Sequence, residues 1–127
     1  MSGRRRVLLV EDEFLVRVIV SDALTDAGFE VIEAGDGEEG VRLLDKSPEF
    51  DAVITDLQMP GSVDGLSLAR HARERDAAVP MIFATARPDS VRSFGGRSDH
   101  NVVVEKPYGP EQIVAVLRRF FAADDPA

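Results

Sequence analysis

The chain has 127 residues, 44% of them hydrophobic and 30% charged, which predicts one globular domain over 1–127, with a core of about 5–121 and a short tail at 122–127. Its net charge of −8 argues against direct DNA binding, and the Arg4–Arg6 cluster is interpreted as solvated charge beside the first strand. The absence of cysteine excludes disulfides and cysteine-based zinc sites, and no apolar segment approaches the ~20 residues of a membrane span, so we expect a cytoplasmic protein without membrane contact.

The first half of the chain predicts two strands that alternate with two helices. Val7–Val10 is a continuous apolar run, which suits a strand buried on both faces. Apolar residues then recur with helical spacing, and Gly28 is suited to end that helix. Glu30–Ala34 is more polar and predicts an edge strand, which a short helix over 38–46 follows. The apolar positions of the first helix are Val16, Ile19, Val20, Ala23, Leu24 and Ala27.

The second half of the chain predicts three further strands. Short apolar runs lead to Asp56, to Thr85 and to Lys106. After the first of these runs, Asp64 can cap a helix that extends to about Arg75.

Two more helices complete the predicted elements. Between residues 87 and 101, Pro88 and the Gly95–Gly96 pair interrupt any helix, so we expect a short and mobile one. Pro110 suits the first position of the last helix. The predicted buried face of that helix consists of Ile113, Val116, Leu117 and Phe120.

Strands that alternate with helices five times predict an α/β fold of the doubly wound (βα)5 type, in which helices cover both faces of a five-stranded parallel sheet. In open α/β sheets, ligands bind beyond the carboxyl ends of the strands. The chain places its candidate functional residues there: Glu11, Asp12, Asp56, Thr85 and Lys106. The predicted site therefore combines carboxylates, a hydroxyl group and an amine at one edge of the sheet.

These residue types suit phosphoryl transfer to a protein side chain. The carboxylates of Glu11, Asp12 and Asp56 would repel one another without a cation, and oxygen ligands in a partly open cleft suit Mg²⁺. Asp56 can act as a nucleophile toward phosphorus, while Lys106 and Thr85 can pair with phosphoryl oxygens. Each residue alone has an ordinary structural explanation, such as a turn or a helix cap, and it is their combination that predicts the site.

The combination resembles the receiver domain of bacterial response regulators, which belongs to the CheY-like superfamily. The resemblance covers about residues 5–121 and implies a flavodoxin-like strand order of 2-1-3-4-5. The matching segments are Leu8–Glu13, Ile54–Pro60, Asp64–Gly65, Thr85–Ala86 and Lys106–Tyr108.

The resemblance also implies a role for each residue of the site. Asp56 would accept a phosphoryl group from a histidine kinase or a histidine phosphotransfer protein. Thr85 and Lys106 would sense and neutralise the phosphate. The ligands of Mg²⁺ would be Glu11, Asp12, Asp56 and the backbone carbonyl of Gln58.

The implied protein is a phosphoacceptor of a two-component system that assists its own phosphotransfer and dephosphorylation, rather than an enzyme. It would be a stand-alone receiver that signals through a protein partner, as a monomer or a phosphorylation-dependent dimer. Phosphorylation would shift an equilibrium between two conformations around the fourth helix, the fifth strand and the fifth helix. Two features depart from the family pattern. Val103 stands where receivers often carry an aromatic switch residue, with Tyr108 and Phe83 as candidates to replace it, and the Gly95–Gly96 pair loosens the fourth helix. The loop over 59–65 is also one residue longer than usual.

Two other interpretations are open at this point. Gly35–Gly40 matches the G-x-G-x-x-G pattern of a dinucleotide-binding enzyme, with Asp56 about 20 residues further on, although the acidic residues within it would repel a pyrophosphate. A degenerate receiver would keep the fold and act as a phosphorylation-independent binding module. His71 and His100 are interpreted as surface residues rather than as catalytic groups or metal ligands.

Overall fold

The structure is a computed structural model that describes residues 4–46, 49–91 and 100–122. Short strands alternate with helices along the chain. In chain order, the elements are β1 (Arg6–Val10), α1 (Phe14–Asp26), β2 (Glu30–Ala34), α2 (Gly37–Lys46), β3 (Ala52–Asp56), α3 (Gly65–Arg75), β4 (Met81–Thr85), a 3₁₀ helix (Pro88–Val91), β5 (Asn101–Glu105) and α4 (Pro110–Ala122).

The five strands form one parallel sheet in the order β2-β1-β3-β4-β5, which confirms the predicted fold and strand order. In the register of the sheet, Val10 lies opposite both Ala34 and Thr55, and Asp56 lies opposite Ala84. The strands therefore end at one common edge. This is the edge at which open α/β sheets bind their ligands.

Both faces of the sheet are covered by helices, so the central strands are buried. β3 and β4 are buried throughout, β1 is buried from Val7 onward, and β2 is only partly buried, as predicted for an edge strand. Alternate residues of a strand point to opposite faces, which gives two cores. The core on the side of α2 and α3 includes Leu8, Val10, Val53, Leu68, Met81 and Phe83. The core on the side of α1 and α4 includes Val7, Leu9, Leu24, Ile54, Ile82 and Leu117.

Two helix boundaries follow the predicted turn chemistry. α1 ends at Asp26, and Gly28 then adopts a φ of 100°, a left-handed conformation that glycine reaches without strain. Asp64 caps α3, because its Oδ1 accepts a hydrogen bond of 2.8 Å from the amide of Ser67.

One of the apolar positions that predict α1, Ile19, is 54% exposed. Val20 and Leu24 are buried and face the sheet. Because successive residues are about 100° apart around a helix, Ile19 turns away from the sheet when Val20 faces it. Ile19 therefore shares the helical spacing of the apolar positions without belonging to the core.

In α4, the buried aromatic residue is Phe121 rather than the predicted Phe120, which is only partly buried. Phe121 continues the four-residue spacing of Ile113 and Leu117, so it lies on the same face of the helix. Its ring packs against Phe29, with the ring centroids 6.0 Å apart.

The connection between β4 and β5 is described only in part. The 3₁₀ helix follows β4, and β5 ends at Glu105, one residue before its predicted end. The predicted short helix around Gly95–Gly96 lies outside the described residues, as does most of the predicted tail. The described residues contain four α-helices, whereas five helices were predicted. None of the four combines the length and the apolar character that crossing a membrane requires.

Candidate functional site

Three carboxylates lie together at the carboxyl-terminal edge of β1 and β3. Glu11 follows β1 and is 2% exposed, and Asp56 ends β3 and is 5% exposed. Together with Asp12, they each present one carboxylate oxygen, and these oxygens lie within 4.8 Å of one another. The cluster forms because β1 and β3 are neighbours in the sheet. Such a set of oxygen atoms fits a hard divalent cation.

The turn that carries Glu11 is held from three sides. The Glu11 amide donates a hydrogen bond to the carbonyl of Ala34 at 3.1 Å, and its Oε2 accepts one from the amide of Glu13 at 3.0 Å. Arg17 of α1 donates through Nη1 to the Glu11 carbonyl at 2.8 Å and through Nε to Glu33 Oε1 at 3.2 Å. These contacts fix both the backbone and the side chain of Glu11, and Arg17 ties the turn to β2.

Asp56 is held by an amide and by an ammonium group. Its Oδ1 accepts a hydrogen bond from the Gln58 amide at 3.0 Å, and its Oδ2 forms an ion pair with the Lys106 side chain. Gly65 lies so close to the end of β3 that a Cβ atom there would be 2.3 Å from the Asp56 carbonyl oxygen. Only glycine fits at that position. Its amide donates to the Leu57 carbonyl at 3.1 Å, which closes the loop after β3.

Lys106 and Thr85 come from the ends of β5 and β4. The Lys106 amide donates to the Thr85 carbonyl at 2.9 Å, and the Lys106–Pro107 peptide bond is cis. Thr85 is buried, and its hydroxyl oxygen accepts a hydrogen bond from the Arg87 amide at 2.9 Å. A hydroxyl that accepts in this way still carries one proton that it can donate. The site thus offers an ammonium group and a hydroxyl donor near its carboxylates.

Burial and charge set the protonation of the cluster. Burial raises the pKa of Glu11 from 4.5 to about 7; the Glu13 amide opposes this effect and the negative charge of Asp56 adds to it. For Lys106, burial favours the neutral amine, but the hydrogen bond and charge of Asp56, together with Glu11, outweigh it and raise the pKa above its ordinary value. Lys106 therefore remains protonated at neutral pH, whereas Glu11 titrates there.

The structure brings together most of the residues that the sequence predicts for the site. Four of them form the carboxylate cluster and its ion pair: Glu11, Asp12, Asp56 and Lys106. Thr85 ends the neighbouring strand and bonds the Lys106 backbone. The backbone amide of Gln58 donates a hydrogen bond to the Asp56 side chain. The chemical roles of these residues, including the Gln58 carbonyl as a metal ligand, stay predictions.

Two contacts that hold the site are not apparent from the sequence. Arg17 joins the Glu11 turn to Glu33 on β2, and Glu38 accepts hydrogen bonds from the amide and the hydroxyl of Ser62. The partners lie 16 and 24 residues apart, and a single charged residue on a helix gives no signal of a distant partner. Paired changes among homologous sequences are the signal that could reveal them.

The structure of residues 35–40 does not support a dinucleotide site. Gly37 serves close packing, because a Cβ atom there would lie 2.1 Å from the Val63 carbonyl oxygen. The Glu39 amide donates to Asp36 Oδ1 at 2.8 Å, and the Gly35 amide donates to Glu39 Oε1 at 2.7 Å. This arrangement resembles a capping box, and it occupies amide groups that a pyrophosphate would need.

The two histidines lie outside the carboxylate cluster. His71 of α3 pairs with Asp45 of α2 at 2.8 Å, and the carbonyl of His100 accepts a hydrogen bond from Arg73 at 3.1 Å. Both histidines are half-buried rather than fully exposed. Neither is in the group of acidic side chains that could hold a metal ion.

The predicted aromatic switch position, Val103, is half-buried in β5. Phe83 lies opposite it on β4 and is completely buried, so this ring belongs to the core rather than to a surface that changes exposure. Tyr108 is half-buried beside Lys106, and its pKa is raised by burial and by the negative charge of Glu11. Of the two aromatic residues, only Tyr108 lies partly at the surface.

An apolar groove of about 460 Å³ lies beside Lys106, between α1 and the segment that follows β5. Ile19 and Tyr108 are among its lining residues. On the same helix, Phe14 is 64% exposed and Leu15 is 72% exposed. Large exposed apolar side chains next to a groove are typical of a contact surface.

Residues 7–118 match the family model of the response regulator receiver domain. The chain belongs to this family. Among relatives of this receiver, a probable chemotaxis protein CheY from Rhizobium etli is 31% identical over 127 residues, with 97% of each chain covered. The family resemblance predicted from the motifs is thereby confirmed. Receivers interact with histidine kinases or phosphotransfer partners and generally bind Mg²⁺ at an acidic site.

Solved structures of receivers are similar to this one over nearly the whole chain. A response regulator receiver protein from Sinorhizobium medicae has a TM-score of 0.87 at 27% identity, with 96% of this chain and 98% of that chain covered. The receiver domain of sensor histidine kinase PA1611 from Pseudomonas aeruginosa has a TM-score of 0.76 at 25% identity, with 95% and 99% covered, and a magnesium ion is coordinated in its active site cleft. This receiver spans about half the length of two transcriptional regulatory proteins that it matches, 50% of one and 44% of the other.

Proposed function

We propose that this receiver is the phosphoacceptor of a two-component phosphorelay and that Asp56 is the phosphorylated residue. The observation that carries the proposal is the ion pair of Lys106 with a buried Asp56, beside a carboxylate cluster suited to a divalent cation. The donor would be a histidine kinase or a histidine phosphotransfer protein, as is general in the family. Phosphorylation-dependent binding of a protein partner would then carry the signal.

The proposed reaction exchanges one bond to phosphorus for another. The P–N bond of a phosphohistidine breaks, a P–O bond forms to a carboxylate oxygen of Asp56, and the leaving imidazole takes up a proton. The Gln58 amide holds the carboxylate in place, and Lys106 opposes the negative charge on the phosphoryl oxygens. Thr85 lies at the neighbouring strand end with a hydroxyl proton to donate. The protein would assist its own phosphotransfer and dephosphorylation rather than act as an enzyme on a separate substrate.

The donor set of the cluster supports Mg²⁺ as the cation, which would supply charge neutralisation to the transferred phosphoryl group. Glu11, Asp12 and Asp56 would hold it, together with the carbonyl of Gln58. All of these ligand atoms are oxygens, which Mg²⁺ prefers. Glu11 and Asp56 are buried, and burying ionised carboxylates is costly without compensation. When Glu11 is ionised, Lys106 offsets only one of the three negative charges.

We infer that the histidine-bearing partner docks on the groove between α1 and the segment after β5. Lys106 lines the groove and also pairs with Asp56, so a protein seated there lies next to the phosphoacceptor. Ile19 lines the groove and is 54% exposed, and Phe14 and Leu15 add exposed apolar surface on the same helix. An amphipathic helix is the partner element that such a surface fits, because its apolar face can enter the groove while its polar face stays in water.

Labelling with acetyl phosphate tests the assignment of Asp56 without any kinase. The wild-type protein should gain a hydroxylamine-labile phosphoryl group in Mg²⁺ and should not gain it in EDTA. Asp56→Asn should abolish labelling, because a carboxamide is a far weaker nucleophile than a carboxylate, while the circular dichroism spectrum stays that of the wild type. Asp22→Asn changes an exposed aspartate on α1 and is the matched control, which should label like the wild type.

Labelling of the Asp56→Asn variant at the wild-type level would show that the assignment is wrong. A folded wild-type protein that neither becomes labelled nor binds beryllofluoride with Mg²⁺ would favour the alternative of a degenerate receiver that acts as a phosphorylation-independent binding module.

A further inference from the structure

The loop that joins β3 to α3 has one residue more than the usual receiver loop, and Gln58 is its second residue. Its middle, over 59–63, crosses the surface with Pro60, Gly61 and Ser62 exposed. Among hydrogen bonds between described residues, those donated by Ser62 are the ones that join this middle part to another element. The acceptor of both is Glu38, in the first turn of α2.

The Glu38 carboxylate lies against the loop backbone. Its Oε2 accepts hydrogen bonds from the amide and from the hydroxyl of Ser62, both at 3.2 Å. Gly61 has a φ of 100°, and a Cβ atom there would lie 2.8 Å from each of the two carboxylate oxygens. Gly61 therefore has a left-handed conformation that favours glycine, and it lies directly beside an acidic side chain.

A second close contact joins the same two segments. Gly37, the residue before Glu38, lies so near the loop that a Cβ atom would be 2.1 Å from the Val63 carbonyl oxygen. Two consecutive residues at the start of α2 thus contact three consecutive residues of the loop. The start of α2 and the middle of the loop are packed as one unit.

We propose that Glu38 is a positioning residue of the phosphorylation site, which acts through Ser62 to fix the loop and thereby the Gln58 carbonyl. The inference rests on the proposed function, in which that carbonyl is a Mg²⁺ ligand. One end of the loop is held by the bond from the Gln58 amide to Asp56, and the other end by the bond from the Gly65 amide to Leu57. Glu38 restrains the part between them. A longer loop has more conformations to restrict, so the extra residue makes this restraint more important.

The affinity for Mg²⁺ is the direct test, measured by isothermal titration calorimetry on the unphosphorylated protein. Mutation of a residue that orients a metal ligand typically lowers metal affinity by about 10- to 100-fold. Since Glu38 acts through one further residue, Glu38→Ala should raise the Kd for Mg²⁺ by about three- to tenfold. Glu38→Gln keeps an acceptor oxygen for Ser62 and should stay within about twofold of the wild type, because the hydrogen bonds survive while the charge is lost.

Glu74→Ala is the control for charge, because it removes one carboxylate from an exposed position on α3. Its Kd should equal that of the wild type, since an exposed charge away from the site is screened. Urea unfolding of each variant identifies conditions in which all of the variants are folded, and the Kd for Mg²⁺ is compared under those conditions. A general loss of stability would leave the Kd of the folded molecules unchanged.

Four results would overturn the inference. The first is an unchanged Kd for Glu38→Ala, and the second is a rise in Kd for Glu38→Gln as large as that for Glu38→Ala. The third is an equally large rise in Kd for Glu74→Ala, and the fourth is a wild-type protein without Mg²⁺ affinity. Only the last of them would also refute the proposed cation site. The first three would leave the phosphoacceptor function of Asp56 in place.

Discussion

Glu11 should make the stability of this receiver depend on pH when no divalent cation is present. Folding raises the pKa of Glu11 from 4.5 to about 7, chiefly through burial, so the folded protein holds this proton more tightly than the unfolded chain. The resulting stabilisation is fully present below about pH 4.5 and is lost as pH rises to about 7. At 1.36 kcal/mol for each pKa unit, the loss is about 3 kcal/mol.

Urea unfolding in EDTA between about pH 5 and about pH 8 measures this effect when the wild type is compared with Glu11→Gln. The variant cannot titrate at this position, and its amide oxygen can still accept the hydrogen bond from Glu13. The free energy of unfolding of the variant, minus that of the wild type, should increase by about 2 to 3 kcal/mol over this range. Saturating Mg²⁺ should reduce the difference, because the cation binds the ionised carboxylate of the folded state.

Parallel pH profiles for the wild type and Glu11→Gln would refute the reasoning, since they would show that Glu11 has the same proton affinity in both states. Glu105→Gln is the matched control, because Glu105 is exposed at the end of β5. Its profile should run parallel to that of the wild type.

Two further predictions concern a helix cap and the groove. Asp64→Ala should lower the free energy of unfolding by about 1 kcal/mol in urea, because it removes the cap on the Ser67 amide, whereas Asp22→Ala at an exposed position without a cap should not. Ile19→Asp should lower phosphotransfer from a purified cognate histidine kinase by about tenfold or more while acetyl phosphate labelling stays normal. Thr25→Asp, at another exposed position on α1, should affect neither reaction, and equal losses for Ile19→Asp in both reactions would contradict docking at the groove.

The fold was predictable because this sheet is buried on both faces. Continuous apolar runs such as Val7–Val10 and Met81–Ala84 have no other simple interpretation at that length, and the polar run Glu30–Ala34 correctly indicated the edge. The orientation of the helices was less predictable. Ile19 satisfies the helical spacing of α1 but lies outside the face that packs on the sheet, since spacing alone does not say which of two adjacent apolar positions faces inward.

The position of the site was predictable for a different reason. Parallel strands place their carboxyl ends at one edge, so the acidic residues and Lys106 could be expected to meet from their position after apolar runs. The residues that hold the site residues in place could not be predicted from the sequence. Arg17 and Glu38 are ordinary charged residues on helices, and their partners become neighbours only when the strands and loops are packed.

The charges of the site explain why cation binding and phosphorylation should be coupled. When Glu11 is ionised, three carboxylates face one ammonium group, so the cluster carries two negative charges in excess. One divalent cation balances this excess, whereas a phosphoryl group on Asp56 would add negative charge to it. The phosphorylated state should therefore bind Mg²⁺ more tightly than the unphosphorylated state does, and by linkage Mg²⁺ should favour the phosphorylated state by the same factor. Lys106 pairs with Asp56 and also lines the groove beside α1, so a change of its partner in the cluster should alter the surface on which we propose that a partner protein docks.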